Sequence, residues 1–97
     1  MDPTPIKNEL MHRFELNIDD KIAFLEYQQQ GPEVLAFTHT FVPSELRGRN
    51  LAAILTRYAL EDAQKQGKKV APLCSYVDAF MQRNKEFDLL RAPSTML

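Results

Sequence analysis

Hydrophobic and polar residues alternate along residues 10–18. Leu10, His12, Phe14, Leu16 and Ile18 fall on one side, and Met11, Arg13, Glu15 and Asn17 fall on the other. A period of two predicts a half-buried strand. NIDD at 17–20 has the composition of a tight turn. KIAFLEYQ at 21–28 follows as a second strand with apolar residues on both faces, and QQGPE at 29–33 supplies the glycine and proline of another turn. VLAFTHTFV at 34–42 is β-branched and aromatic, a third strand that Pro43 ends. On that strand His39 shares a face with Leu35, Phe37 and Phe41. Three strands joined by short turns predict an antiparallel meander.

From Leu51 the period changes. Leu51, Ile54, Leu55 and Tyr58 recur at helical spacing, and Ala52, Ala59 and Ala63 widen the stripe. Arg57, Glu61, Gln64 and Lys65 fall on the water side, and Gly67 stands where a left-handed helix cap belongs. KKVAPLCSYV at 68–77 returns to strand character. Pro72 cannot donate to a ladder, so the strand is expected at an edge or parted from its neighbour there. DAFMQRNKEFDLL at 78–90 predicts a short helix anchored by Phe80, Met81, Phe87 and Leu90. The order βββαβα describes an α/β (α+β) domain, a mostly antiparallel sheet crossed by one long helix and closed by a short one.

Length sets the scale: 97 residues are expected to form one domain, with 1–9 a flexible arm and 91–97 a frayed tail. A net charge of −1 gives no global basic field for nucleic acid. No apolar run approaches bilayer length, so no membrane partner is expected. One cysteine excludes an internal disulfide framework and a cysteine-based zinc cluster, and the expected setting is reducing and cytoplasmic. A monomer or weak dimer is expected.

The unusual stretch is VPSELRGRNLAAIL at 42–55. Two arginines flank a glycine at the mouth of the long helix. Helix N-termini present unpaired N–H groups and the positive end of the dipole, so they suit an anion. The same residues also describe a plain turn with solvated arginines.

Three stretches together carry a resemblance: HTFVPSELRGRNLA, PLCSYV and FMQRNKEF. They are similar to the small single-domain GNAT-like N-acetyltransferase group often called YjdJ-type or NATD-type. That family marks its pyrophosphate loop as Arg/Gln-x-x-Gly-x-Gly/Ala between a strand and a long helix. The matching register here is Arg47, Gly48, Arg49, Asn50, Leu51 and Ala52. The resemblance spans residues 10–90 and implies a minimal GNAT-like fold. It departs twice: Asn50 stands where the loop usually has its second glycine, and Phe41 stands where many relatives carry a glutamate suited to act as general base.

The resemblance implies acetyl-CoA (coenzyme A) as the bound cofactor and transfer of its acetyl group to an amine acceptor, a small molecule or a protein. The loop would hold the pyrophosphate. The pantetheine arm would lie in a cleft between splayed strand ends, against backbone near Phe41 and Val42, with Ser75 and Arg83 completing the cofactor site. Arg83, Asn84 and Glu86 lie in a turn that the family places near the acyl end. Cys74 has three possible roles: acyl-accepting nucleophile, proton donor to the departing thiolate, or small buried hydrophobe. His39 is the implied base and the sequence partner of Cys74; His12 is a fainter one. Tyr76 and Phe80 read as core residues that can also line the cleft. A CoA-binding or interaction module without turnover is the alternative, and Phe41 favours it.

Overall fold

The computed structural model describes residues 2–93. Five strands form one sheet in chain order, β1 (Ile6–Asn8), β2 (Arg13–Ile18), β3 (Lys21–Gln30), β4 (Val34–Phe41) and β5 (Lys69–Pro72). The first four are antiparallel, and β5 joins β4 in parallel after a crossover through helix α1 (Leu51–Lys65). A second helix, α2 (Ser75–Arg83), and a 3-10 segment at Lys85–Leu90 follow. The architecture is the mixed α/β arrangement the sequence predicts, a mostly antiparallel sheet crossed by one long helix.

Local chemistry explains most boundaries. Asp19 and Asp20, both at positive φ, make the two-residue hairpin between β2 and β3, the conformation that matches strand twist. Gly67 at φ +68° closes α1, with its N–H on Gln64 O and the Lys68 N–H on Ala63 O, a Schellman cap. Phe14, Leu16, Leu25, Leu35 and Phe37 meet Leu55, Leu60, Val77, Met81 and Phe87 in one core, so both helices lie on the same face of the sheet. The anchors Phe80, Met81, Phe87 and Leu90 are all buried.

Several boundaries differ from the sequence reading. Residues 6–8 are not a loose arm but strand β1, paired with residues 13–15 of β2. Leu10 to His12 are not strand; they form a turn whose His12 has φ 54° and whose Leu10 is almost fully exposed. Strand β5 stops at Pro72, and Ser75 already begins α2. Arg91 bridges Val70, and the buried Ala92 donates its N–H to Val70 O, so the first tail residues extend the structure. The rest of the expected frayed tail, 94–97, lies outside the described residues.

One irregularity reorients the region of interest. The β3–β4 register slips between Glu26 and Tyr27: Tyr27 faces Phe37, Glu26 faces His39, and Thr38 has no partner of its own. An extra residue in one strand reverses every side chain beyond it. Leu35 and Phe37 therefore face the helices, whereas His39 and Phe41 turn to the outer face beside Glu26 and Phe24. Ring centroids 6.1 Å apart for Phe24–His39 and 5.5 Å for Phe24–Phe41 mark that outer cluster. His39 thus does not share a face with Leu35 and Phe37 as strict alternation predicts.

Candidate functional site

The loop before α1 leaves a run of backbone donors open at the helix mouth. Pro43 ends β4, a 3-10 turn covers Ser44–Leu46, and Leu46 anchors it in the core. Gly48 then takes φ +85° and Asn50 takes the left-handed conformation, φ 63° and ψ 22°. Asparagine tolerates that region better than other side chains, so the departure from glycine leaves the loop geometry intact. The first internal bond of α1 runs from Ile54 N–H to Asn50 O. Among the described residues, the N–H groups of residues 48–53 donate to no protein acceptor.

Six consecutive donors at a positive dipole end form the kind of cradle that phosphate oxygens fill. The Asn50 side chain makes no cap hydrogen bond. A cavity of about 180 Å³ opens here, lined by Val42, Leu46, Arg47, Gly48, Asn50, Leu51, Ala52, Ala53 and Tyr76. A larger one of about 370 Å³ adjoins it through Asn50 and Ala53. Arg47 is exposed and its Nε donates to Val42 O at 3.3 Å. Arg49 reaches Asp19 at 3.6 Å in an exposed pair, which holds the guanidinium only weakly.

The second part of the site is the fork between β4 and β5. The parallel pairing ends at Phe37 opposite Pro72. Cys74 N–H donates to Phe37 O at 2.9 Å, and the chain then turns away into α2. Beyond Phe37, β4 keeps β3 on one side and has no strand partner on the other among the described residues. Pro72 therefore sits where the strands part. A row of open backbone groups such as residues 38–41 is what an extended ligand can pair with.

Cys74 lies at that fork as the N-cap of α2, half-buried rather than within a strand. Its Sγ is 3.6 Å from Thr40 Oγ1. Thr40 and His39 are consecutive strand residues and point to opposite faces, so the structure does not bring Cys74 and His39 together. Ser75 is exposed at the first position of α2. Tyr76 is the residue the sequence undervalued: it is half-buried and lines the loop cavity. Burial pushes its phenol above the ordinary value of 10, and nearby Arg83 partly offsets that rise. The helical spacing of Val77, Phe80 and Met81 is the signal that starts α2 early enough to put Tyr76 on it.

The turn after α2 divides by function. Asn84 and Glu86 hold Arg57 of α1, at 3.2 Å each, and Arg57 lies over Phe80 and Phe87 at 5.5 and 5.4 Å. Arg57 thus clamps α1 to the end of α2 while its side chain still reaches water. Arg83 is exposed and has no ion-pair partner among the described residues. His12 stacks on Tyr27 with centroids 5.7 Å apart. No cluster of metal-ligating side chains occurs among the described residues, and no helix there is long and apolar enough to cross a membrane.

Comparison with known proteins places the chain in a family. The family model described as GCN5-related N-acetyl-transferase matches residues 13–90. Protein NATD1 of Danio rerio is 28% identical over 78 residues, covering 80% of this chain and 71% of that protein. Protein NATD1 of Bos taurus and of Gallus gallus are each 31% identical over 62 residues, 64% of this chain. The matched region spans 55% and 56% of those two proteins.

Proposed function

The chain belongs to the GCN5-related N-acetyltransferase family, and from that premise we propose that it binds acetyl-CoA and transfers the acetyl group to an amine. The carrying observation is the run of unpartnered N–H groups at residues 48–53, with exposed arginines at 47 and 49 and a cavity alongside. A diphosphate fits that donor set in charge and in number of acceptors.

In this reading, residues 47–52 hold the pyrophosphate and Arg83 adds positive charge nearby. The pantetheine arm pairs with the open edge of residues 38–41 and Val42, and Ser75 borders it. The thioester carbonyl is polarised by strand N–H groups at the bulge, which need no reorganisation as charge develops. Cys74 and Tyr76 stand where the departing sulfur leaves. Tyr76, a phenol that is protonated at neutral pH, can donate a proton to that sulfur, and Cys74 either assists or carries the acyl group briefly. The acceptor approaches from the outer face, which no helix covers among the described residues. That openness favours an acceptor presented on a peptide or protein over an enclosed small molecule.

Phe41 supports a second reading, a CoA-binding module without turnover, because an aromatic ring cannot accept a proton. Calorimetry with acetyl-CoA and a thiol assay for released CoA separate the two. Saturable binding weakened by the Arg47→Ala, Arg49→Ala double change is expected, together with CoA release on adding amines. Binding without release would select the module, and no heat at millimolar acetyl-CoA would reject both.

A further inference from the structure

An alkyl amine is an ammonium ion near neutrality, and only its neutral form attacks a thioester carbonyl. Transfer therefore requires a proton acceptor beside the open stretch of β4; this inference rests on the acetyl-transfer reading above. On the helix side of that stretch stands Thr40, with Cys74 against it. On the outer side stand His39 and, directly across the ladder on β3, Glu26. Residues directly opposite in a ladder have Cβ atoms about 5 Å apart, close enough for both side chains to reach one ammonium group.

The geometry points to Glu26 and His39 as a proton-accepting pair for an alkyl primary amine, assembled on the outer face by the Thr38 bulge. Without the bulge His39 would face the core, opposite to Glu26. His39 is exposed and meets the amine, so it is the catalytic residue. Glu26, half-buried directly opposite it on β3, acts as the positioning residue, its carboxylate within reach of the imidazole ring across the ladder. The other charged groups on this face are Arg13, across β2 from Glu26, and Glu15. Arg13 is committed to Glu15 at 2.5 Å and lies over Phe24 at 4.7 Å, which leaves Glu26 outside that ion pair.

Recognition of the amine follows from the same neighbours. A cavity of about 210 Å³ beside the bulge is lined by Glu26, Gln28, Thr38, Tyr27, Met11 and His12. Phe24 and Phe41 flank the pair on its other side, and aromatic faces attract an alkylammonium while accommodating its methylenes. His39 takes one proton from the ammonium. The neutral nitrogen then forms the C–N bond as the C–S bond breaks. The second amine proton ends on the departing sulfur, giving amide and CoA thiol, and His39 returns its proton to solvent.

The test uses Glu26→Gln, Glu26→Asp, His39→Asn and the Glu26→Gln, His39→Asn double variant. Acetyl-CoA binding is measured by calorimetry, and CoA release with butylamine and with a lysine peptide is followed from pH 7 to 10. Binding within twofold of wild type is expected throughout. Release should fall about 100-fold in each of Glu26→Gln and His39→Asn near neutrality. The deficit should shrink toward pH 10, where the amine deprotonates unaided. Glu26→Asp should recover part of the rate, and the double variant should lose little more than either single one, as for a coupled unit. Wild-type rates in both single variants, additive losses, or a deficit independent of pH would overturn the pair. Acetyl-CoA binding in wild type with no CoA release would overturn the pair and leave binding standing. Absence of binding would overturn the acetyl-transfer reading and the pair together.

Discussion

Asn50 offers a sharp test of the loop, because its conformation and its contacts make opposite demands on a substitution. It is the N-cap of α1 yet sits at φ 63°, and its side chain makes no hydrogen bond to the helix. Removing that side chain therefore loses no capping bond. The left-handed region costs an ordinary L-residue about 1–2 kcal/mol, and asparagine carries less of that cost. Asn50→Ala should lose about 1 kcal/mol, and Asn50→Val should approach 2 kcal/mol because β-branching tightens the restriction. Asn50→Gly should stay within about 0.5 kcal/mol of wild type, relief of backbone strain offsetting the greater freedom of the unfolded chain. Urea denaturation reads these differences, and for a chain of this size each 1 kcal/mol moves Tm by about 4–8 °C. Because Asn50 borders both cavities at the helix mouth, the glycine variant should bind acetyl-CoA at least as tightly as wild type. An alanine variant as stable as wild type, or a glycine variant losing more than the alanine one, would refute the left-handed cap.

Four further outcomes follow from named contacts. Arg57→Leu should cost about 1–2 kcal/mol in urea denaturation, since two cation–π contacts and an Asn84 hydrogen bond are lost; Glu86→Ala, removing only the exposed partner, should cost under about 0.5 kcal/mol. Burial raises the phenols of Tyr27 and Tyr76 above 10, so their contribution to stability is full below pH 10 and falls as pH rises through the folded values. Ultraviolet titration should show phenols ionising above that value, one fewer in Tyr76→Phe. Mass spectrometry after exposure to acetyl-CoA should show an acetyl adduct lost in Cys74→Ala if the thiol carries the acyl group; CoA release unchanged in Cys74→Ala would assign the thiol to packing. Acetyl-CoA binding should weaken between low and high salt, since Arg47 and Arg49 are exposed and screening acts fully on them.

What the sequence makes legible here is what periodicity can carry. Strands β3 and β4 and helix α1 announce themselves through alternation, turn residues and the Leu51–Leu55–Tyr58 stripe. The turn at the helix mouth is legible because a glycine and an asparagine, the residues that take positive φ most readily, stand at 48 and 50. Strand β1 was hidden because three residues between prolines and a polar turn give no measurable period. KKVAPLCSYV misled because a mostly apolar run from Val70 to Val77 looks like one strand, although Val77, Phe80 and Met81 already keep helical spacing. The most consequential omission is the bulge at Thr38. It involves no glycine or proline, and nothing in the alternation of VLAFTHTFV marks where one extra residue enters. That single residue separates His39 from Cys74 and places His39 beside Glu26, so the chemistry of the site could not be read from the strand pattern alone.

The central claim is that the helix mouth holds the pyrophosphate of acetyl-CoA while the open edge of β4 holds its pantetheine arm. Amide-resolved NMR during acetyl-CoA titration tests both halves at once. The account predicts that the largest shifts fall on the N–H groups of residues 48–53 and on residues 38–41. Perturbations confined to other surfaces, or none at millimolar acetyl-CoA, would contradict it.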